Sequence, residues 1–219
     1  MPAPQPANGQ PRMESIAISR LRPTQLTVGM LEVKRKRKRL RALEKKPAEM
    51  VGFILETPIR VVLGPKDQAY VIDHHHLALA LLKEDFKTAP MQIEADFSHL
   101  APRVFWKRMK ADNYVHLFNS RGKRKPLRSL PKSLRQLKDD PYRSLAGFVR
   151  AAGGYDKTPS PFAEFAWANF FRRRIDSESI REDLKKTVNE CVGMACTPQA
   201  ADLPGFVGDT RKQTLEAAR

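Results

Sequence analysis

Asp73 is followed by three consecutive histidines, His74, His75 and His76, where the apolar run AYVI ends and the run LALALL begins. Imidazoles titrate near neutral pH, so they can donate to phosphate oxygens or move protons, and ordinary packing does not call for three in succession. The stretch before them reads as a strand and the stretch after them as a helix, which puts them at a strand-to-helix corner. The first N–H groups of a helix have no intrahelical acceptor and its dipole favours an anion, so the corner is a place for phosphate. Asp73 is positioned to cap the helix and, with His74, to line the phosphate pocket. His75 or His76 is the expected acid or base. Metal ligation is less favoured, because consecutive side chains diverge and His99 or His116 would have to approach in space.

A second concentration of chemistry lies upstream in LRPTQLTVGMLEVKRKRKRL, residues 21–40. Arg22 offers a planar fork for phosphate, and Thr24 and Gln25 offer neutral hydrogen bonds in a loop stiffened by Pro23. Glu32 is the candidate carboxylate, able to accept a proton or hold a metal-bound nucleotide. The plainer alternatives are a solvated charge at Arg22, a self-satisfied turn at Thr24 and Gln25, and an ion pair between Glu32 and Lys36 one helical turn on. Lys34, Arg35, Lys36, Arg37, Lys38 and Arg39 form an unbroken basic run on a helix, either a solvated face or a row of nucleic-acid phosphate contacts. The Pro-punctuated arm RGKRKPLR adds Lys123, Arg124 and Lys125, with Arg121 and Arg128 beside them.

These residues need elements to hold them. Strands are expected at ESIAIS, IRVVL, AYVID and MQIEADF, the middle pair joined as a hairpin through GPKDQ. Helices are expected at the basic run, at HLALALLKEDF and at PRVFWKRMKADNYVHLF, the last burying Phe105, Met109 and Leu117 on one side. Residues 121–135 read as a basic arm. Beyond it, YRSLAGFVRAAGGY and PFAEFAWANFFRRRI read as helices, and SESIREDLKKTVNECVGMA as one more, with Ser177 or Ser179 as its cap. The aromatics Trp106, Phe162, Phe165, Trp167, Phe170 and Phe171 read as core rather than as a base-stacking platform.

The 219 residues contain 40 Lys and Arg against 24 Asp and Glu, a net charge of +16 that attracts polyanions. Cys191 and Cys196 give neither a disulfide framework nor a cysteine zinc site. The N-terminal MPAPQPANGQP lacks the order of a secretory signal, and no run reaches the roughly 18 apolar residues of a membrane span. A cytoplasmic protein with no membrane partner is expected.

The stretches LRPTQLTVGMLEV and YVIDHHHLALALL, with FWKRM, PFAEFAWANFFR and LPGF, resemble the ParB-like nucleases, a branch of the ParB and sulfiredoxin superfamily. The likeness runs from about Glu14 to about Gly205. It implies an α+β fold, a small mixed sheet with flanking helices and a helical C-terminal extension. The implied division is a tail at 1–13, a core at 14–120, the arm at 121–135, helices packed on the core at 136–195 and a tail at 196–219. It also implies that the turn at Asp73, His74, His75 and His76 holds phosphate while Arg22, Pro23, Thr24 and Gln25 face the substrate. Two departures stand out. Leu77 occupies the place where ParB clamps and sulfiredoxins carry an arginine, and the turn has no cysteine, which disfavours sulfinic-acid reduction. The expected function is an enzyme of phosphoryl transfer or phosphodiester hydrolysis on a nucleotide or nucleic acid, using Mg2+ or another divalent cation. The alternative is a non-catalytic basic protein that binds DNA or RNA and senses nucleotide. Neither the resemblance nor the residues specify an oligomeric state.

Overall fold

Alternating apolar residues in IRVVLG and QAYVID fold as the expected hairpin, and Lys66 (φ 63°) and Asp67 (φ 51°) take the left-handed conformation that reverses the chain. The computed structural model describes residues 12–208, so the ends of both expected tails, 1–11 and 209–219, lie outside the described residues. In chain order come β1 (Arg12–Ala17), β2 (Arg22–Pro23), β3 (Thr27–Val28), α1 (Met30–Ala42), α2 (Pro47–Glu56), β4 (Ile59–Gly64), β5 (Gln68–Asp73) and α3 (His75–Lys83). Then follow β6 (Thr88–Asp96), α4 (Pro102–Ala111), β7 (Lys138–Asp139), α5 (Pro141–Ala151), α6 (Ala163–Arg172), α7 (Ser177–Glu182) and α8 (Leu184–Ala195). The architecture is α+β. Among the described residues no helix is long and apolar enough to cross a membrane.

The described chain forms two compact units, one of residues 12–26, 33–117 and 125–138, the other of residues 27–32, 118–124 and 139–208. The first carries a mixed sheet of order β1-β6-β4-β5-β2, in which β1/β6 and β4/β5 are antiparallel while β4/β6 and β2/β5 are parallel. Ile59, Val61, Val71 and Met91 from the sheet and Leu77, Leu79 and Leu81 from α3 are buried. That burial fixes α3 against the sheet, and each such side chain contributes about 1.5–3 kcal/mol. Phe105 of α4 packs at 4.9 Å from both Tyr70 and Trp106. The rings leave no room at Gly64, where a Cβ would come within 2.7 Å of them.

The second unit is helical. Trp167 is buried, stacks on Tyr155 at 4.2 Å and donates from Nε1 to the Pro204 carbonyl (2.8 Å). Gly205 (φ 76°) sits so close to Asp156 that a Cβ there would lie 2.1 Å from its carbonyl oxygen, which explains the glycine in LPGF.

Three elements differ from expectation. The helix at 102–118 stops at Ala111, because Asn113 turns left-handed (φ 58°); Leu117 is buried, but from the loop that follows. The expected single helix over 177–195 is two. Asp183 breaks it and caps α8 through Lys186 N (2.9 Å), and Asp176 caps α7 through Glu178 N (2.9 Å), displacing the serines from that role. Helix α2 was not expected, although Pro47 at its start and Glu49 in its first turn are ordinary helix-opening signals.

Candidate functional site

Strand β5 ends at Asp73 and α3 begins at His75, so one residue makes the corner. That residue is His74, held left-handed (φ 62°, ψ 31°), a conformation that histidine visits more readily than most side chains. Its ring is fixed as well: Nδ1 donates to the Pro58 carbonyl (2.6 Å), and Nε2 lies 3.9 Å from the Asp73 carboxylate. The kink starts the helix one residue earlier than the sequence indicated. Asp73 consequently accepts from the neighbouring His74 N (2.7 Å), and α3 has no side-chain cap. The first intrahelical bond is Ala78 N to His74 O (3.0 Å), so the amides of the first turn stand outside the helical ladder, at the positive end of the dipole.

The RPTQ bend is brought onto this corner. β2 runs parallel to β5, with Arg22 opposite Tyr70 and Pro23 opposite Val71. The next residue, Thr24, donates from its hydroxyl to Val71 O (2.7 Å) and from its backbone N to His75 Nε2 (3.3 Å). His75 is only 4% exposed, and with Nε2 accepting, its ring proton belongs on Nδ1. The geometry therefore commits His75 to holding the bend. His76, in the first turn, is half-buried. Thr24 O accepts from His116 N (3.0 Å), and Gln25 forms a bridge with His116, so the backbone of His116 supports the bend. Gln25 is 6% exposed, and its side-chain amide nitrogen meets no hydrogen-bond partner among the described residues. Arg22 donates to the Lys132 carbonyl and faces Tyr70, whose phenol is pushed up by burial and drawn back by the guanidinium.

Glu32 belongs to the second unit. It is buried against α5, where a Cβ on Gly147 would stand 3.2 Å from its carboxyl carbon. Along α1, Lys34, Arg35, Lys38 and Arg39 are exposed, while Lys36 and Arg37 are half-buried. Arg37 and Arg41 grip the Glu84 carboxylate at 2.6 and 2.8 Å; these hydrogen bonds, Arg41's foremost, hold its pKa below the usual carboxylate range against the effect of burial. Lys123 and Arg124 are exposed in the second unit, on a loop tied by Asn119, and Lys125 is exposed in the first. Among the described residues no group of three or more His, Cys, Asp or Glu side chains gathers to hold a metal ion.

Residues 14–173 match the model of the family described as "Putative ParB-like nuclease". Among solved structures, protein Atu1540 from Agrobacterium tumefaciens is 43% identical, with a TM-score of 0.82 over 92% of this chain and 99% of its own. No curated protein matches. The mixed five-stranded sheet, flanking helices and helical C-terminal region conform to the ParB/sulfiredoxin-like arrangement.

Proposed function

The chain belongs to the ParB-like nuclease family, and from that premise we propose that the corner at Asp73–His76 binds phosphate of a nucleotide or nucleic acid and supports phosphoryl transfer or phosphodiester hydrolysis. The observation that carries this reading is the bond from Thr24 N to His75 Nε2, which ties the RPTQ bend to the N-terminus of α3. First-turn amides and the helix dipole receive the phosphate oxygens. Arg22, Thr24 and Gln25 orient the rest of the substrate, the buried Gln25 amide offering a donor. His76 gives or takes the proton at the reacting oxygen, and His75 positions the bend. Asp73, the exposed carboxylate at the corner, is the residue that would meet a divalent ion carried on nucleotide phosphates, where the ion would neutralise charge. Glu32 lies in the second unit against α5, and this reading gives it no step at the corner. The setting is the cytoplasm.

A thermal-shift panel of ATP, ADP, CTP, GTP and short DNA, each with and without magnesium and beside the unphosphorylated nucleosides, tests the reading. At a hundredfold excess over Kd a ligand of the folded state adds about 2.7 kcal/mol. At least one phosphate compound should raise the melting temperature while its nucleoside does not. Silence across the panel would remove the proposal.

One observation favours a second reading. The exposed Lys34, Arg35, Lys38 and Arg39 offer a cationic row to a nucleic-acid backbone, and binding through that row needs no chemistry at the corner.

A further inference from the structure

Helix α2 is apolar on two sides, and its own unit covers one of them. Toward the fold, Ile54 is 6% exposed and the Phe53 ring centroid lies 5.0 Å from the Arg39 guanidinium of α1. Away from it, Val51 and Leu55 are 55% and 51% exposed. A lone exposed apolar residue is ordinary, but these two belong to a row. Ala48, Val51, Gly52 and Leu55 recur at i, i+3, i+4 and i+7, the spacing of a helix face that packs against something. Ala48 is exposed as well, and Gly52 is half-buried.

Gly52 has no explanation within one chain. Glycine in a helix interior is unfavourable, and close packing is the usual reason for it. At Gly147 a Cβ would stand 3.2 Å from the Glu32 carboxyl carbon, which accounts for the glycine there; at Gly52 a Cβ would meet nothing within 4 Å. A gap in an exposed apolar stripe lets a second helix approach closely, because the side chains at a contact set the distance between helix axes.

The stripe is complementary to itself. It reads small, large, small, large. About a two-fold axis between residues 51 and 52, an antiparallel copy sets each Leu55 against the partner's Ala48 and each Val51 against the partner's Gly52. Every large side chain then meets a small one. The charges favour the same direction. Exposed Lys45 and Lys46 precede α2 and exposed Glu56 ends it, so the last turn carries an acid where the dipole favours a base. Glu49 pairs with Lys46 within the chain (2.8 Å), which leaves Lys45 as the surplus charge at that end. An antiparallel copy lays the acidic end of one helix on the basic end of the other, whereas a parallel copy would set like against like.

We propose that α2 is the contact through which two copies of this chain pair, antiparallel and isologous. A ten-residue helix is about 15 Å long, so the contact falls short of the roughly 1,600 Å² of a standard interface, and the dimer forms reversibly at high concentration.

Sedimentation velocity on the full chain from about 10 μM to about 1 mM tests this, since those concentrations span the Kd range of a small interface. The weight-average mass should rise from that of one chain toward that of two. Val51→Glu places like charges beside the axis and should weaken association at least about tenfold. Its circular dichroism should match the parent's, because the Val51 side chain is more than half exposed. Mild oxidation reports the direction. Val51→Cys should cross-link to its copy, whereas Glu56→Cys should not, because antiparallel pairing separates the two Glu56 positions by about 14 Å along the axis and a disulfide spans roughly 7 Å at most between Cα atoms. The parent chain, whose Cys191 and Cys196 are buried, is the control. A chain that stays monomeric at about 1 mM, a dimer that Val51→Glu leaves intact, or cross-linking in Glu56→Cys rather than Val51→Cys overturns the proposal.

Discussion

His76→Ala is expected to lower turnover about 100- to 10,000-fold, the range that a positioned acid or base contributes, while the melting temperature stays close to that of the parent chain. The reason is the different placement of neighbouring rings. His76 is half-buried at the start of α3, so its replacement empties no closed space. His75 is buried with Nε2 accepting from Thr24 N, so His75→Ala removes a partner from an interior amide. An unmet buried donor costs about 1–3 kcal/mol, and that loss should appear as reduced thermal stability as well as reduced activity. Steady-state kinetics on whichever compound stabilises the protein, read beside denaturation of both variants, distinguishes the two roles. Full turnover in folded His76→Ala would remove the ring from the chemistry.

Replacing Lys34, Arg35, Lys38 and Arg39 together with glutamine is expected to change DNA binding more than any substitution at the corner. These four are exposed on α1, Arg39 with its guanidinium 5.0 Å from the Phe53 ring centroid, and Arg37 is half-buried on Glu84. Each phosphate contact contributes about 0.9 to the slope of log affinity against log salt, so losing four should flatten that slope by about 3–4. Fluorescence anisotropy with a short duplex over a salt series measures it. Stability should change little, because exposed charges make small net contributions. Like charges crowd along the helix, so the variant should melt no lower than the parent. An unchanged slope would show that the basic run is a solvated face and would shift DNA contact to other cations such as Lys123, Arg124 and Lys125.

The strands and the strand-to-helix corner were legible because their signals are local: alternation in IRVVLG and QAYVID, turn formers between them, and an apolar run after the histidines. The approach of RPTQ to DHHH was not legible from spacing. It arises from the parallel pairing of β2 with β5 across a separation of 48 residues, a tertiary fact that only the family resemblance anticipated. The distinct fates of the three imidazoles were hidden too. The left-handed turn at His74 decides which ring faces Pro58, which reaches Thr24 and which stays half-open. Gly147 could have been noticed, because glycine inside a helix is unfavourable by about 1 kcal/mol and points to close packing.

The central claim is that the amides opening α3 hold phosphate. The most direct measurement follows the backbone 15N–1H resonances of residues 74–78 while ADP, and separately adenosine, is titrated into the full chain. The account predicts saturable movement of the His76 and Leu77 amides with ADP and none with adenosine. If ADP binds while these amides stay still, the phosphate lies elsewhere and the account is wrong.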